Sequence, residues 1–394
     1  MGIYLNNAAT TWPKPEVVPE AMYDFLKSHG ANLARGAAAK RDLSTMDMVM
    51  CCRENIAQIF DGYKDADPRY VTFSSNITES LNIVLKGFLK PGMKVITSSM
   101  EHNASMRPLR RLEQRGIIGI RVVDCNREGV LHLEDLRMAM EEEKFDLMVF
   151  THASNICGTV QDLPGIAAIC KESGVPLVLD SAQTAGVIPV SVKDLDIAAL
   201  CFTGHKGLMG PQGTGGIVWR PDFAEKVDCF LEGGTGSFSH LELQPDTMPD
   251  KFEAGTPNLP GIAGLHAATK WLMKETTGKI HEREQQLGSI LLEGLKKLPG
   301  LELAGKMTMD ERLPVFPINF TSLDHAEVAA AIADDPGIET RPGLHCAPTA
   351  HQTLGTLQHG GAMRVSVGYF NTEEEISIFL KAMEDILSIP ADTQ

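Results

Sequence analysis

Two apolar segments that end in polar residues most strongly constrain the fold of this chain. Residues 175–179 are uniformly apolar and are followed at once by Asp180-Ser181-Ala182-Gln183. Residues 197–202 are also apolar and lead into Thr203-Gly204-His205-Lys206. Short apolar runs of this kind are typical of parallel strands buried on both faces, and open α/β sheets bind ligands at the carboxyl ends of such strands. We therefore expect Asp180 and Lys206 to lie together at one edge of a sheet.

Three earlier segments repeat this pattern. Residues 69–73, 94–97 and 146–150 read as strands, and each is followed within a few residues by polar side chains. Connections of this length between strands predict a right-handed, mostly parallel sheet with helices on both faces. The chain is therefore expected to be an α/β protein.

The length of the chain predicts more than one domain. With 394 residues, it exceeds the usual size of a single hydrophobic core. We expect an N-terminal arm over residues 1–14, a large domain over 15–262 and a small C-terminal α+β domain over 263–394. A long helix over about 261–298 is expected to connect the two domains, followed by a strand at 315–320 and a helix at 325–333.

Composition and charge exclude several classes of function. The net charge of −15 argues against nonspecific binding to nucleic acid or to anionic membranes, both of which favour basic proteins. No apolar run approaches the length of a membrane span, and no signal peptide is evident, so we expect a cytoplasmic protein. The eight cysteines form neither a disulfide framework nor a metal-binding spacing, so no metal is expected.

The predicted pairing of Asp180 with Lys206 has a chemical interpretation. An isolated pair of this kind is more often a surface lysine and a helix-capping aspartate. Gln183, the context around Lys206 and the other polar strand ends favour a functional pair instead. A lysine amine can form a Schiff base with an aldehyde cofactor, and an aspartate can hold a protonated pyridine nitrogen.

The segments 180–183 and 203–206 resemble the class V aminotransferase group of pyridoxal 5'-phosphate (PLP) enzymes. Within that group the sequence is most similar to the cysteine desulfurase and selenocysteine lyase family, from residues 4–10 to residues 364–371. The resemblance implies PLP fold type I, the aspartate aminotransferase-like fold. Such a fold has a large domain with a mostly parallel seven-stranded sheet and a smaller α+β C-terminal domain.

The resemblance also implies roles for residues around the cofactor. Lys206 would bind the aldehyde, Asp180 the pyridine nitrogen and Gln183 the ring oxygen. His102 would stack on the ring and carry protons, although a lone histidine is more often structural. The phosphate would be bound by four side chains, namely Thr78, Thr203, His205 and Thr256.

Two of these predicted phosphate ligands, Thr78 and Thr256, differ from the others in their position. Thr78 opens a helix, where plain N-capping is the ordinary alternative to phosphate binding. Thr256 lies in a motif that, in the family, reaches the cofactor phosphate of the neighbouring subunit. The resemblance therefore implies a homodimer in which each site needs both chains.

Substrate binding is assigned in the same way. Asn155 and Arg364 match family residues that orient the substrate carboxylate, for which a planar, two-pronged guanidinium is well suited. Arg35 lies in a loop that reaches the active site in the family. Relatives often carry histidine where this chain has Ala34, so no role of that imidazole is expected here.

Cys346 is the candidate nucleophile. An average cysteine is more often a buried apolar side chain, but Arg341-Pro342-Gly343-Leu344-His345-Cys346 reads as a loop with an accessible thiol. A thiol near histidine and cationic groups can attack as the thiolate. Residues 341–346 resemble the family motif that carries the persulfide-forming cysteine. Leu344 stands where the branch of the family that includes selenocysteine lyases frequently has a second histidine.

Together these features predict a cysteine desulfurase. The enzyme would convert L-cysteine to L-alanine and hold the sulfur as a persulfide on Cys346 for an acceptor protein. The closest alternative is a selenocysteine lyase that uses the same residues on L-selenocysteine. A class V transaminase or β-lyase, which would yield a keto acid or pyruvate, and a catalytically idle scaffold for sulfur-transfer partners are further alternatives.

Overall fold

The structure is a computed structural model that describes residues 2–33 and 39–388. Strands and helices alternate along the first half of the chain. Within the described residues the strands are β1 (Ile3–Tyr4), β2 (Val71–Ser74), β3 (Lys94–Ser98), β4 (Gly119–Val123), β5 (Leu147–Thr151), β6 (Leu177–Asp180), β7 (Ile197–Thr203), β8 (Gly215–Trp219), β9 (Leu301–Leu303), β10 (Val315–Phe320), β11 (Ile338–Glu339), β12 (Arg341–Gly343) and β13 (Ala362–Ser366).

The helices cover both faces of the main sheet and build much of the C-terminal region. Within the described residues the α-helices are α1 (Val17–Asp24), α2 (Lys40–Ile59), α3 (Tyr63–Ala66), α4 (Ile77–Phe88), α5 (Asn103–Gln114), α6 (Leu133–Glu142), α7 (Leu163–Ser173), α8 (Pro221–Lys226), α9 (Leu259–Glu275), α10 (Thr277–Leu295), α11 (His325–Asp334), α12 (Pro348–Leu354) and α13 (Glu373–Leu387).

The main sheet has seven strands in the order β2-β8-β7-β6-β5-β3-β4. All neighbouring pairs are parallel except those that involve β8, which runs antiparallel to both β2 and β7. The predicted α/β class and the mostly parallel seven-stranded sheet are therefore confirmed. Every residue of β5, β6 and β7 is buried, which explains why these strands read as continuous apolar runs.

The carboxyl ends of the central strands meet at one edge of the sheet. Thr151, the last residue of β5, pairs with Asp180, the last residue of β6. Thr203, which ends β7, pairs with Gly215 of β8, and Gly215 also pairs with Ser74 at the end of β2. The polar residues that follow these strands are thereby collected in one region, as the sequence predicts.

Close backbone packing fixes the two turns that follow β6 and β7. Gly186 has a φ of +84°, and a Cβ at this position would collide with the carbonyl oxygen of Gly207. A Cβ at Gly207 would in turn lie 2.5 Å from the carbonyl oxygen of Ala185. Only glycine allows this approach, which brings the Lys206 turn against the turn that begins at Asp180.

The C-terminal region is built on a four-stranded antiparallel sheet in the order β12-β13-β10-β9. Helices α10, α11 and α13 enclose its own hydrophobic core with β10 and β13. The N-terminal arm joins this region, since β1 pairs with β11 and Leu5 is buried in the same core. β10 spans the predicted residues 315–320, and α11 begins at the predicted residue 325.

The single long helix predicted over 261–298 is wrong, because the structure has two helices there. Thr276 separates them with a φ of 72°, and its hydroxyl caps α10 by accepting a hydrogen bond from the backbone N–H of Lys279. Helix α9 packs on α1 and α2, whereas α10 packs on α13. We therefore propose that the small domain begins at Thr276 rather than within α9.

Along the described residues, no helix combines the length and the apolar character that crossing a membrane requires.

The approach of the two turns can be tested with Gly207→Ala. The added methyl group meets the Ala185 carbonyl at 2.5 Å and the Val187 side chain at 2.6 Å, so we expect a loss of about 1–3 kcal/mol in the free energy of unfolding. Urea denaturation measures the change. Gly234→Ala is the control, because a Cβ there meets no atom within 4 Å. Equal stability of the two variants would contradict the packing argument.

Candidate active site

Asp180 and Lys206 lie at the centre of the site, as the strand ends predict. Asp180 is buried, and its Oδ1 accepts a hydrogen bond of 2.9 Å from the Ala182 backbone N–H. Burial raises the pKa of Asp180, while Ala182 and the charge of Lys206 oppose that shift. Burial, together with the positive charges of Arg364 and Arg341, lowers the pKa of Lys206 to about 8, although the charges of Asp180 and Cys346 oppose the shift. These five groups therefore share one electrostatic environment.

His102 is a partly buried, neutral imidazole beside this pair. It stands at the N-cap of α5, where its Nδ1 accepts a hydrogen bond of 3.0 Å from the backbone N–H of Ala104. Burial lowers the pKa of His102 to about 4, assisted by the charges of Lys206 and Arg364. A neutral imidazole that accepts at Nδ1 carries its proton on Nε2, so that nitrogen is the donor available to the site.

Arg364 presents a buried guanidinium in the middle of β13. Its Nη1 donates to the Asn155 carbonyl at 2.9 Å and its Nη2 to Oδ1 of Asn6 at 3.1 Å, while Nε is buried without a hydrogen-bond partner in the described structure. Burial lowers the pKa of Arg364 to about 9, which leaves it charged at neutral pH. Within the described residues it forms no ion pair, so a carboxylate from outside the chain would relieve its charge.

The predicted phosphate ligands occupy two regions. Thr203 is buried at the end of β7, and His205 follows it with a buried Nδ1 that has no partner among the residues described. Thr78 is exposed in the first turn of α4, which Asn76 caps. Thr256 is exposed and lines a separate cavity of about 590 Å³, whose lining, in the described part of the chain, includes neither Lys206 nor Asp180.

The N-terminal arm binds the backbone of the Lys206 turn. The carbonyl oxygen of His205 accepts hydrogen bonds from Thr10 Oγ1 at 3.0 Å and Lys14 Nζ at 2.7 Å. Thr11 Oγ1 donates to the Lys206 carbonyl at 3.0 Å. The side-chain amide of Gln183 also contacts the arm, donating to the Ala8 carbonyl at 3.1 Å. The arm therefore holds the turn from which the Lys206 amine projects.

Cys346 lies in a tight, strained loop with its side chain exposed. His345 and Cys346 have φ values of 48° and 59°, and a non-glycine residue in this left-handed region costs about 1–3 kcal/mol. The large domain holds both residues. Asn155 Nδ2 donates to the His345 carbonyl at 2.8 Å, and the backbone N–H of Asn103 donates to the Cys346 carbonyl at 2.8 Å. These two hydrogen bonds hold the backbone of the loop at the residue that carries the thiol.

The sequence motif places a histidine beside the Cys346 thiol, but in the structure the ring of His345 binds other groups. The ring of His345 is buried, donates to the Arg341 carbonyl at 2.7 Å and contacts His351 at 3.4 Å. Burial lowers the pKa of His345 to about 3. The cationic groups that share the environment of Cys346 are instead Arg364 and Lys206.

The structure brings together most of the predicted site residues. These are Lys206, Asp180, Gln183, His102, Thr203, His205, Asn155, Arg364 and Cys346. Thr78 is exposed in the first turn of α4, and Thr256 lines the other cavity. Arg35 lies outside the described residues.

Three contributors were missed by the sequence interpretation. Asn6 binds Arg364, and Asn103 binds the Cys346 loop, although both belong to segments that the sequence had singled out. The third is Glu101, which is fully buried behind His102 and accepts hydrogen bonds from Ser98 Oγ and the Thr151 backbone N–H. Burial raises its pKa to about 8, a consequence of tertiary packing that no local pattern reveals.

The geometry agrees with one known family. The sequence matches the family model for class V aminotransferases over residues 3–379. This chain belongs to the class V aminotransferase family. The resemblance carried by residues 180–183 and 203–206 is therefore confirmed.

Several similar proteins within this family are cysteine desulfurases by name. The probable cysteine desulfurase of Methanothermobacter thermautotrophicus is 31% identical over 390 residues, which cover 98% of this chain and 94% of that protein. The apo structure of the cysteine desulfurase from Thermococcus onnurineus NA1 matches with a TM-score of 0.89 at 31% identity, covering 98% and 94% of the two chains. The S-sulfonic acid structure of the cysteine desulfurase CsdA from Escherichia coli matches at 0.86 and 27% identity, again covering 98% and 94%.

The buried histidines predict a pH-dependent stability. His152, at the end of β5, is buried with Nδ1 2.9 Å from Thr184 Oγ1, and burial lowers its pKa to about 4 from 6.5. The unfolded chain therefore binds more protons than the folded one between these values, and His152 costs about 2 kcal/mol of stability at pH 5. Because burial raises the pKa of Glu101 and Glu284 to about 8, acidification also has an opposing effect in the whole protein.

The contribution of His152 is isolated by comparing His152→Asn with the wild type. When the pH falls from 7 to 5, the free energy of unfolding of the variant, relative to that of the wild type, should rise by about 2 kcal/mol. Urea unfolding at both pH values measures it. His359→Asn, at an exposed position, serves as the control. A difference that does not change with pH would refute the assignment.

Proposed function

We propose that this chain is a PLP-dependent cysteine desulfurase, which converts L-cysteine to L-alanine and holds the sulfur as a persulfide on Cys346. The observation that carries the proposal is an exposed thiol on a fixed loop, in the same electrostatic environment as Lys206 and Arg364. An ordinary transaminase has no need of a nucleophile there. The names of the similar proteins support the same activity.

The residues present fit PLP. The Nδ1 of His205, which has no partner within residues 2–33 and 39–388, and the buried Asp180 carboxylate are polar groups that a charged ligand would satisfy. Lys206 would hold the aldehyde carbon, Asp180 the pyridine nitrogen and Gln183 the ring oxygen, with His102 against the ring. Thr203, His205 and Thr78 would bind the phosphate, aided by the N-terminus of α4. When bound, PLP supplies the electron sink that stabilises negative charge at the substrate Cα.

Arg364 binds the substrate carboxylate in this proposal. Its guanidinium is already held by Asn6 and Asn155, so little side-chain entropy remains to be lost when the substrate binds. The side-chain amide of Asn155 is engaged with the His345 carbonyl. Asn155 thus links the carboxylate site to the loop that carries the nucleophile.

Lys206 moves the α-proton. With a pKa of about 8, the free amine is neutral in about half of the molecules near pH 8. A neutral amine can take a proton from Cα, and the resulting ammonium can return one later. Its low pKa therefore matches the demands of a general base.

Cys346 then attacks the substrate sulfur as a thiolate. A sulfur–sulfur bond forms while the substrate carbon–sulfur bond breaks, and the bonding pair stays with the carbon. One proton added at that carbon completes the methyl group of alanine, and the substrate thiol proton remains on the persulfide. The exposure of Cys346 allows an acceptor protein to collect the sulfur.

We also propose that the chain works as a homodimer in the cytoplasm. Thr256 is exposed beside a cavity separate from Lys206, which suits a role at the neighbouring subunit's cofactor phosphate. Exposed Leu231 lines the same cavity as Thr256, and Phe238 and Leu243 are further exposed apolar side chains. All eight cysteines are free thiols, as is usual in a reducing compartment.

The desulfurase proposal is tested with L-cysteine and a thiol reductant. We expect the PLP-loaded wild type to produce equal amounts of alanine and sulfide. Cys346→Ala should lose at least about a hundredfold in rate, because removal of a catalytic nucleophile abolishes the covalent step. Its visible PLP absorbance should persist.

Other products would decide between the alternatives. Pyruvate in place of alanine would identify a β-lyase. Turnover of L-selenocysteine but not of L-cysteine would identify a selenocysteine lyase. Cys229→Ala is the matched control, since its half-buried thiol lies near Glu232 and outside the site, and it should retain the wild-type rate.

Replacement of Arg364 tests the carboxylate site. Arg364→Lys keeps a positive charge but cannot bind Asn6, Asn155 and a carboxylate together, so kcat/KM should fall about tenfold or more, mainly through KM. Steady-state alanine formation measures this. Arg121→Lys, in an exposed ion pair with Glu142, should leave both constants unchanged. A wild-type KM in Arg364→Lys would exclude this role.

A further inference from the structure

Three buried side chains form a hydrogen-bonded chain behind the Cys346 loop. His345 Nε2 lies 2.7 Å from the Arg341 carbonyl oxygen, and His345 Nδ1 lies 3.4 Å from His351 Nε2. His351 Nδ1 lies 2.7 Å from the hydroxyl oxygen of Thr356. All three side chains are buried, His351 completely so.

The direction of every hydrogen bond in this series follows from the Arg341 carbonyl oxygen at which the series ends. A carbonyl oxygen only accepts, so His345 donates from Nε2 and its neutral ring must accept at Nδ1. His351 therefore donates from Nε2 and accepts at Nδ1, which requires the Thr356 hydroxyl to donate. Nδ1 lies 2.7 Å from that hydroxyl and the His351 carbonyl oxygen 3.4 Å, so Nδ1 is the closer of the two acceptors. Burial lowers the pKa of both histidines, to about 3 for His345 and about 4 for His351, so both rings are neutral at pH 7.

The chain of hydrogen bonds acts on the loop at the positions that determine where the thiol lies. It ends on Arg341, which begins the loop, and it fixes the ring of His345, whose backbone is left-handed. The carbonyl groups of His345 and Cys346 are tied to the large domain by Asn155 and Asn103. On the small-domain side, the Ala347 N–H donates to the Leu344 carbonyl at 3.0 Å, and Arg341–Gly343 pairs with β13.

We propose that Thr356 and His351 are positioning residues for Cys346, and that they act through the ring of His345. This inference rests on the proposed function, because it concerns the thiol that attacks the substrate sulfur. Thr356 lies ten residues beyond Cys346 and follows α12. Its hydroxyl donates to Nδ1 of His351 and so stabilises the tautomer with the proton on Nε2, which is the donor that His345 needs to keep its orientation. Loss of the hydroxyl therefore weakens the small-domain contacts that hold the left-handed pair at positions 345 and 346.

The decisive comparison is between Thr356→Val and Thr356→Ser. Valine preserves the shape of threonine but removes the donor, whereas serine keeps the donor. For Thr356→Val we expect a fall in kcat of roughly three- to tenfold, the change that the loss of one neutral hydrogen bond produces. KM should stay within about twofold, because Arg364 is untouched. Thr356→Ser should restore kcat.

A second readout does not require turnover. The rate at which iodoacetamide alkylates Cys346 is measured by peptide mass spectrometry, with exposed Cys51 in the same molecule as the internal reference. Thr356→Val should change the ratio of the two rates by about threefold or more, and Thr356→Ser should not. Thr321→Val, which removes a hydroxyl that contacts the Gly300 carbonyl in the same domain, is the matched control.

The outcomes separate this inference from the proposed function. If Thr356→Val keeps the wild-type kcat and alkylation ratio, or if Thr321→Val loses as much, the positioning role is overturned. If the wild type makes no alanine from cysteine, the proposed function fails while the alkylation ratio still tests the chain of hydrogen bonds.

Neutron crystallography of the wild type tests the same inference without a variant, should Thr356→Val not fold. We expect deuterium on Nε2 of His345, on Nε2 of His351 and on the Thr356 hydroxyl pointing at Nδ1 of His351. Deuterium on Nδ1 of either ring would reverse the direction of the chain and overturn the proposal.

Discussion

The close backbone contact between the turn after β6 and the turn after β7 is the constraint on which the rest of the site depends. It brings a carboxylate from one strand end and an amine from the next into one buried environment. The contact exists because Gly186 and Gly207 have no Cβ to keep the two turns apart. Once these turns are fixed, the polar residues that follow β3 and β5 need only lie at the same sheet edge to surround the pair.

Burial of these charges gives the site its chemical character. Lys206 and Arg364 are both desolvated, and the charge of Arg364 helps to lower the pKa of the Lys206 amine to about 8. Within the described residues Arg364 forms no ion pair, while Asp180 interacts with Lys206. Uncompensated buried charge is costly, and the folded domains bear that cost. An anionic substrate relieves it, which means that binding energy is available where the chemistry takes place.

The site belongs to both domains and to the N-terminal arm. The arm contributes Asn6 to Arg364 and holds the carbonyl of His205, while the small domain contributes Arg364 and the loop of Cys346. The loop is strained at two consecutive residues and is held from the large domain by Asn103 and Asn155. In the proposed mechanism, a loop whose backbone is held in this way positions Cys346 before the substrate arrives, which lowers the entropic cost of the attack.

The sequence by itself predicted the central strands and the sheet edge that carries Asp180 and Lys206, because a strand buried on both faces leaves an apolar run whose polar end marks the crevice. Asp180 and Lys206 could be named in this way, whereas Arg364 and Cys346 were named through the family resemblance. Only the tertiary structure decided the break at Thr276, the burial of Glu101 and the direction of the His345 ring. These features depend on which atoms meet across long sequence separations. A local pattern records what each residue is but not which distant neighbour removes its water or accepts its proton.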